Sequence, residues 1–167
     1  MHVDVHQLLS HYFPSFIYHY DYIQSIGTNV KSIVLPDWTC NDPNYVEFDF
    51  SRFCCIESIE IGGDSFGSVQ TFKIEGLNRL KTIKIGNNSF TRHKNGDVEN
   101  DKSKSFHILN CESLESIQIG EYSFSDFAGE FKLKYLPQLQ YLCIGKIGSS
   151  SYNFYYSSFV IRSNDMR

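Results

Sequence analysis

The sequence predicts a repeat solenoid, mainly β, in which short parallel strands stack rung on rung behind one short N-terminal helix. Three observations predict it. A seven-residue block returns at a near-constant period, a second block keeps phase with the first, and both alternate apolar and polar residues as a half-buried strand does. In the first block, Ile56, Ile59, Ile61 and Gly62 return as Leu80, Ile83, Ile85 and Gly86. They return again as Leu114, Ile117, Ile119 and Gly120, and as Leu139, Leu142, Ile144 and Gly145. An earlier copy reads Val30, Ile33, Leu35 and Pro36, with proline in the glycine position. Starts near 30, 56, 80, 114 and 139 are separated by 26, 24, 34 and 25 residues, so one period of about 25 explains all but the third.

From the N-terminus, residues 1–29 are predicted to form a helical and aromatic cap. Asp4 with Gln7 resembles a capping box, and Val5, Leu8, Leu9, Tyr12 and Phe13 share one face of a short helix that Pro14 would end. The aromatic run from Phe16 to Tyr22 would then cover the first rung, because an open solenoid end invites aggregation. Residues 30–167 hold about five units. Each first block is followed by a second: Phe48 and Phe50, Phe72 and Ile74, Phe106 and Ile108, Phe131 and Leu133, with Phe53, Leu77, Cys111 and Leu136 between it and the next start. Every unit therefore reads as two short strands joined by turns, the glycines ending the first strand where the chain bends. Phe159 and Ile161 carry the second block of a fifth unit. The long spacing places an inserted polar loop at 91–104, a cheap addition in closure entropy.

Such a unit cannot bury its own apolar stripe. Stacked copies can, as continuous columns of Ile on Ile and Phe on Phe, so that Phe124→Ala should cost roughly 2–5 kcal/mol. The composition agrees with a packed core: 41% of the 167 residues are hydrophobic, including 14 Phe and 11 Tyr. A net charge of −4 gives nucleic acid no sizeable counterion-release attraction. No apolar run reaches membrane-spanning length, and the first residues lack a secretory pattern, so a cytoplasmic location is expected, or the cell surface if the chain belongs to a longer protein. The five cysteines, Cys40, Cys54, Cys55, Cys111 and Cys143, contain no CxxC pair and are expected to be free thiols.

The repeat resembles the leucine-rich repeat, whose core reads Leu-x-x-Leu-x-Leu-x-x-Asn-x-Leu. The match runs through Leu114, Ile117, Ile119, Tyr122 and Phe124, through Leu80, Ile83, Ile85, Asn88 and Phe90, and through Ile56, Ile59, Ile61, Asp64 and Phe66. Isoleucine for leucine, with phenylalanine at the last core site, is similar to the degenerate repeats of protist proteins and of BspA-like surface antigens. The resemblance covers about residues 30–161 and implies an architecture and a binding role; it names no partner. It also implies that Asn88 bonds neighbouring backbone along the stack, with Asp64 a partial substitute and Tyr122 a departure.

Catalytic patterns are weak. Gly63, Ser65 and Gly67 satisfy Gly-x-Ser-x-Gly, but that nucleophile motif needs a following helix, whereas Phe72 and Ile74 continue a strand alternation. Ser89 and Ser123 occupy the same place in the next units, so Ser65 reads as a repeat-position serine. The six histidines lack metal-ligand spacing. Asp97, Glu99 and Asp101 imitate the first ligands of a calcium loop, but Lys102 stands where glycine is needed and Ile108 where the bidentate glutamate belongs. No catalytic residue, cofactor or metal site is predicted.

What remains is a surface. The polar positions of the first block form two ladders, Ser32, Ser58, Thr82, Ser116 and Tyr141, and beside them Val34, Glu60, Lys84, Gln118 and Cys143. Ser58, Glu60, Thr82, Lys84, Ser116, Gln118 and Tyr141 are the candidate partner-binding residues, and Trp38 and Tyr122 are further aromatic candidates. The expected function is a non-catalytic protein-protein interaction module, or alternatively a structural or cell-surface repeat array. A protein is the expected partner, with no nucleic acid and no membrane insertion.

Overall fold

The computed structural model describes residues 26–92 and 100–162 together with the backbone of residues 2–4. Its chain winds as a β-solenoid of about five turns. Two parallel sheets form its walls, and each turn of the coil contributes one strand to each. The first sheet contains β1 (His2–Asp4), β2 (Ser32–Leu35), β4 (Ser58–Ile61), β6 (Thr82–Ile85), β8 (Ser116–Ile119) and β10 (Tyr141–Ile144), in that order. The second contains β3 (Glu47–Asp49), β5 (Thr71–Glu75), β7 (Ser105–Leu109), β9 (Glu130–Lys134) and β11 (Ser158–Arg162).

The apolar period sets the register. Ile33, Ile59, Ile83, Ile117 and Leu142 lie side by side across the first sheet, and Phe48, Phe72, Phe106, Phe131 and Phe159 across the second. A slip of one residue would turn each set outward, so burial fixes the pairing. The strands alternate as the sequence indicates: Ile59, Ile61, Ile83, Ile85, Ile117 and Ile119 are buried, and Glu60, Lys84 and Gln118 between them are exposed. Phe53, Leu77, Cys111 and Leu136 are buried at the turn returning to the first sheet.

Two phenylalanine columns fill the coil. Phe48, Phe72, Phe106 and Phe131 stack with ring centroids 4.6, 4.6 and 4.9 Å apart. Phe66, Phe90, Phe124 and Phe154 stack at 4.8, 4.7 and 4.8 Å. The columns meet edge to face, at 5.2 Å for Phe72 with Phe90 and 5.1 Å for Phe106 with Phe124. Both contact geometries suit the aromatic quadrupole, and the second places each ring edge against a ring face.

The bend after each first-sheet strand has a less expected basis. Gly62, Gly86 and Gly120 do not need a left-handed backbone; they permit contact. A Cβ on Gly86 would lie 2.4 Å from the Gly63 nitrogen, and one on Gly62 would lie 2.3 Å from the Asp37 nitrogen. The left-handed conformation belongs instead to Trp38, Asp64, Asn88, Tyr122 and Tyr152, and two residues later to Cys40, Phe66, Phe90, Phe124 and Phe154. Phenylalanine in this region is strained. The stacked rings over-determine the conformation, turn after turn.

Two expectations change at this level. His2–Asp4 form a strand, paired in parallel with β2 as an extra member of the first sheet, an element that the cap predicted for residues 1–29 did not contain. The rest of the predicted helix, Val5 to Phe13, and the aromatic run from Phe16 lie outside the described residues, among which no helix occurs. The polar run 91–104 is not solvated at its ends: Thr91 and Lys104 are buried, and residues 93–99 lie outside the described residues. Lys104 Nζ reaches Asp126 Oδ2, which is wholly enclosed, while the Thr91 and Ser125 hydroxyls share a hydrogen bond of 2.9 Å. These contacts anchor the long unit to the next turn.

Candidate functional site

The outward residues of the first sheet are brought together as the two ladders require. Ser32, Ser58, Thr82, Ser116 and Tyr141 are neighbours in register, and so are Val34, Glu60, Lys84, Gln118 and Cys143. With strands about 4.8 Å apart, the five span on the order of 19 Å. A shallow depression of about 570 Å³ lies on this face, lined by Ser58, Glu60, Thr82, Lys84, Ser116 and Gln118 together with Ser32, Val34, Lys31 and Glu57. Tyr141 stands beyond its edge on the last strand, half exposed.

The face is wired along the ladders. Ser58 Oγ donates to Ser32 Oγ at 2.7 Å, Lys84 Nζ to Glu60 Oε1 at 2.6 Å, and Lys31 Nζ pairs with Glu57 at 3.0 Å. A hydrogen bond and the charge of Lys31 hold the Glu57 carboxyl below the usual carboxylate range. Hydrogen bonding with the Cys143 thiol pushes the Tyr141 phenol above its ordinary range. These groups stay in water, so the face offers donors, acceptors and two ion pairs, Lys31 with Glu57 and Lys84 with Glu60, without a desolvated anchor.

Ser65 sits elsewhere. Its side chain is completely buried, donates to the Gly63 carbonyl at 3.1 Å, and accepts from the Thr39 amide at 3.0 Å. It is one member of a polar column: the Ser65 amide donates to Ser89 Oγ at 3.3 Å and the Ser89 amide to Ser123 Oγ at 3.0 Å. Ser89 and Ser123 donate in turn to the carbonyls of Gly62 and Gly86, and Asn153 Nδ2 closes the column on Gly120 at 2.7 Å. Backbone groups that the turns leave unpaired are satisfied this way. Asn88, Asp64 and Tyr122 occupy the preceding position, half-buried, so the fully enclosed polar column lies one residue beyond the asparagine site of the resemblance. Serine in three successive units, at 65, 89 and 123, was the available signal.

The remaining candidates scatter. Trp38 is exposed at the turn rather than on the sheet face, and Tyr122 stacks on Tyr152 at 6.3 Å along the same turn column. Of the acidic triplet, Asp97 and Glu99 lie outside the described residues, and Asp101 accepts from the Ser103 amide and hydroxyl. No group of three or more metal-ligating side chains occurs among the described residues. All five cysteines are free; burial pushes the Cys40 thiol up to about 12 and raises Cys111, so both are held as unreactive thiols.

No family model matches the chain, and no curated protein or solved structure shows significant similarity to it.

Proposed function

We propose that the chain is a non-catalytic, leucine-rich-repeat-like interaction module that recognises a protein partner through the outward face of its first sheet. The observation that carries this reading is the coincidence of the two ladders with the depression on that face, where Glu60, Thr82, Lys84 and Gln118 converge. A sheet braced by buried columns presents those side chains at fixed spacing, which lowers the ordering penalty of association. The complementary charges of Glu60 and Lys84 suit a partner that brings both signs, and fix register more than affinity. The enclosed hydroxyl of Ser65 supports the non-catalytic side of the reading. A cytoplasmic protein is the intended partner.

The test is an affinity capture with the wild type beside a Glu60→Ala/Lys84→Ala/Gln118→Ala variant, followed by titration of any captured protein in purified form. A partner retained by the wild type and lost by the variant, with equal melting temperatures, supports the proposal. A partner that binds both alike moves recognition off this face. A serine-directed fluorophosphonate that labels wild type but not Ser65→Ala would overturn the non-catalytic part. One observation favours a second reading, a structural repeat array: among the described residues the apolar columns run on into the last turn, where Phe159 and Ile161 are more than half exposed.

A further inference from the structure

The turn between β3 and β4 carries the adjacent cysteines Cys54 and Cys55, whose sulfurs lie 3.9 Å apart. The Ile56 amide donates to the Phe53 carbonyl at 3.0 Å, which closes a β-turn and sets the two cysteines at its central positions. Phe53 and Ile56 are fully buried, so the turn is anchored at both ends while Cys54 is exposed and Cys55 half-buried. The same turn recurs along the coil: the amides of Leu80, Leu114 and Leu139 donate to the carbonyls of Leu77, Cys111 and Leu136 at 3.1, 3.3 and 3.2 Å. There the central pairs are Asn78 and Arg79, Glu112 and Ser113, and Pro137 and Gln138, all outward and all exposed except the half-buried Ser113. The fold leaves these two positions to solvent, and packing gives no reason for a thiol at either. Free cysteine is ordinarily a buried residue, as Cys40 and Cys111 are here. Two together on an outward turn are placed to meet solutes.

From this placement we infer that Cys54 and Cys55 form a thiol–disulfide exchange site, which takes a low-molecular-weight disulfide, R–S–S–R, as its oxidising substrate. The exposed Cys54 thiolate attacks one sulfur of that disulfide, forming Cys54–S–S–R and expelling RS⁻. The Cys55 thiolate then attacks Cys54 Sγ and expels the second RS⁻. One S–S bond breaks and one forms. The cysteine pair gives up two electrons, R–S–S–R takes them, and the two cysteine protons end on the two released thiols.

Ring closure brings the sulfurs from 3.9 Å to about 2.0 Å. Neighbouring Cα atoms stand about 3.8 Å apart, below the roughly 4.4 Å at which ordinary disulfides begin. The closed pair is therefore strained, and a strained, exposed disulfide is readily reduced. The ring reopens when thiol is in excess, so the site cycles and does not staple the turn. The remaining cysteines take no part: Cys40 and Cys111 are buried, and Cys143 stands on β10.

The experiment exposes the folded, reduced 167-residue chain to glutathione disulfide at a series of ratios to glutathione, followed by acid quenching, intact mass and peptide mapping. Wild type should lose two hydrogens, with Cys54 joined to Cys55 in one peptide, and regain them when excess glutathione is restored. Cys55→Ser should instead hold one glutathione on Cys54, since no second thiol displaces it. Cys54→Ser should take up glutathione several-fold more slowly, at the less exposed Cys55. Both changes fall on an outward turn, and melting temperatures equal to that of wild type establish that the variants fold. A wild type that closes no bond between Cys54 and Cys55, that keeps its glutathione adducts, or that joins Cys54 to another chain overturns the inference. A closed ring that excess glutathione does not reopen overturns it as well.

Discussion

The turn built on β8 and β9 and the turn built on β10 and β11 carry the same apolar pattern in opposite environments. Phe131 and Leu133 are buried between neighbours, whereas Phe159 and Ile161, next in the same columns, are covered on one side only. Ring geometry changes with them: Phe106 and Phe131 lie 4° from parallel, and Phe131 and Phe159 are tilted by 37°. The lesson is that an identical residue in an identical register has no fixed worth here. Its contribution comes from having a turn on each side, as a nearest-neighbour stack requires.

The sharpest way to break that comparison is to truncate one ring in each region. Phe124 is fully buried, stacked on Phe90 and Phe154 and edge-on to Phe106, so Phe124→Ala should destabilise by roughly 3–5 kcal/mol. Phe159→Ala, made at a residue already half exposed, should cost about 1 kcal/mol. Urea titrations of both variants read the difference directly. Equal losses would mean that the last turn is covered in solution.

Backbone contact between turns gives the next effect. Gly86→Ala drives a methyl into the Gly63 nitrogen and the Gly62 carbonyl carbon, and should cost about 1–3 kcal/mol, because two backbones must separate. Gly76→Ala meets open space but at φ +71°, and should cost about 1 kcal/mol from backbone strain alone. Thermal melts that rank the two the other way would remove close approach as the reason for the glycine period.

Much of this was legible beforehand, because period 2 within strands and a period near 25 between them are statements about burial. The strands from residue 32 onward, the two outward ladders and the buried quartet of Phe53, Leu77, Cys111 and Leu136 follow from them. The left-handed turns at Phe66, Phe90 and Phe124 were hidden, since nothing in a phenylalanine announces positive φ; inter-turn contacts hold it, the stacked rings together with amide bonds to Thr39, Ser65 and Ser89. Glycine looked like the residue of conformational freedom; that holds at Gly145, with φ +69°, whereas Gly62, Gly86 and Gly120 serve by small size. Lys104 read as part of a solvated loop because its partner, Asp126, stands 22 positions later in the next turn. β1 was illegible for a simpler reason: His2, Val3 and Asp4 hold one apolar residue, too few to alternate.

In the central turns, pH supplies a gentler probe. His107 lies 3.3 Å from Glu130, yet its imidazole is held below its ordinary pKa, first by burial and then by the charge of Lys132, which together outweigh Glu130. The unfolded chain therefore takes up this proton more readily than the folded one. Stability from this group is intact above about 6.5, the unfolded value, and declines as pH falls from there toward the lowered folded value. His107→Gln should flatten that slope in melts taken between neutral and mildly acidic pH; an unchanged slope would assign the titration to another group.

The smallest effect is expected on the face proposed for recognition. Lys84 and Glu60 pair at 2.6 Å, but their side chains are 59% and 47% exposed, so solvent and salt screen most of the attraction. A double-mutant cycle through Glu60→Ala and Lys84→Ala should yield a coupling of about 0.2–1 kcal/mol that shrinks as salt is added. A coupling well above this, or one indifferent to salt, would mark the pair as part of the framework that holds the turns together. The expected weak coupling matters for function: it lets these charges be exchanged without disturbing the Ile59, Ile83 and Ile117 row beneath, so any partner lost with them is lost from the face itself.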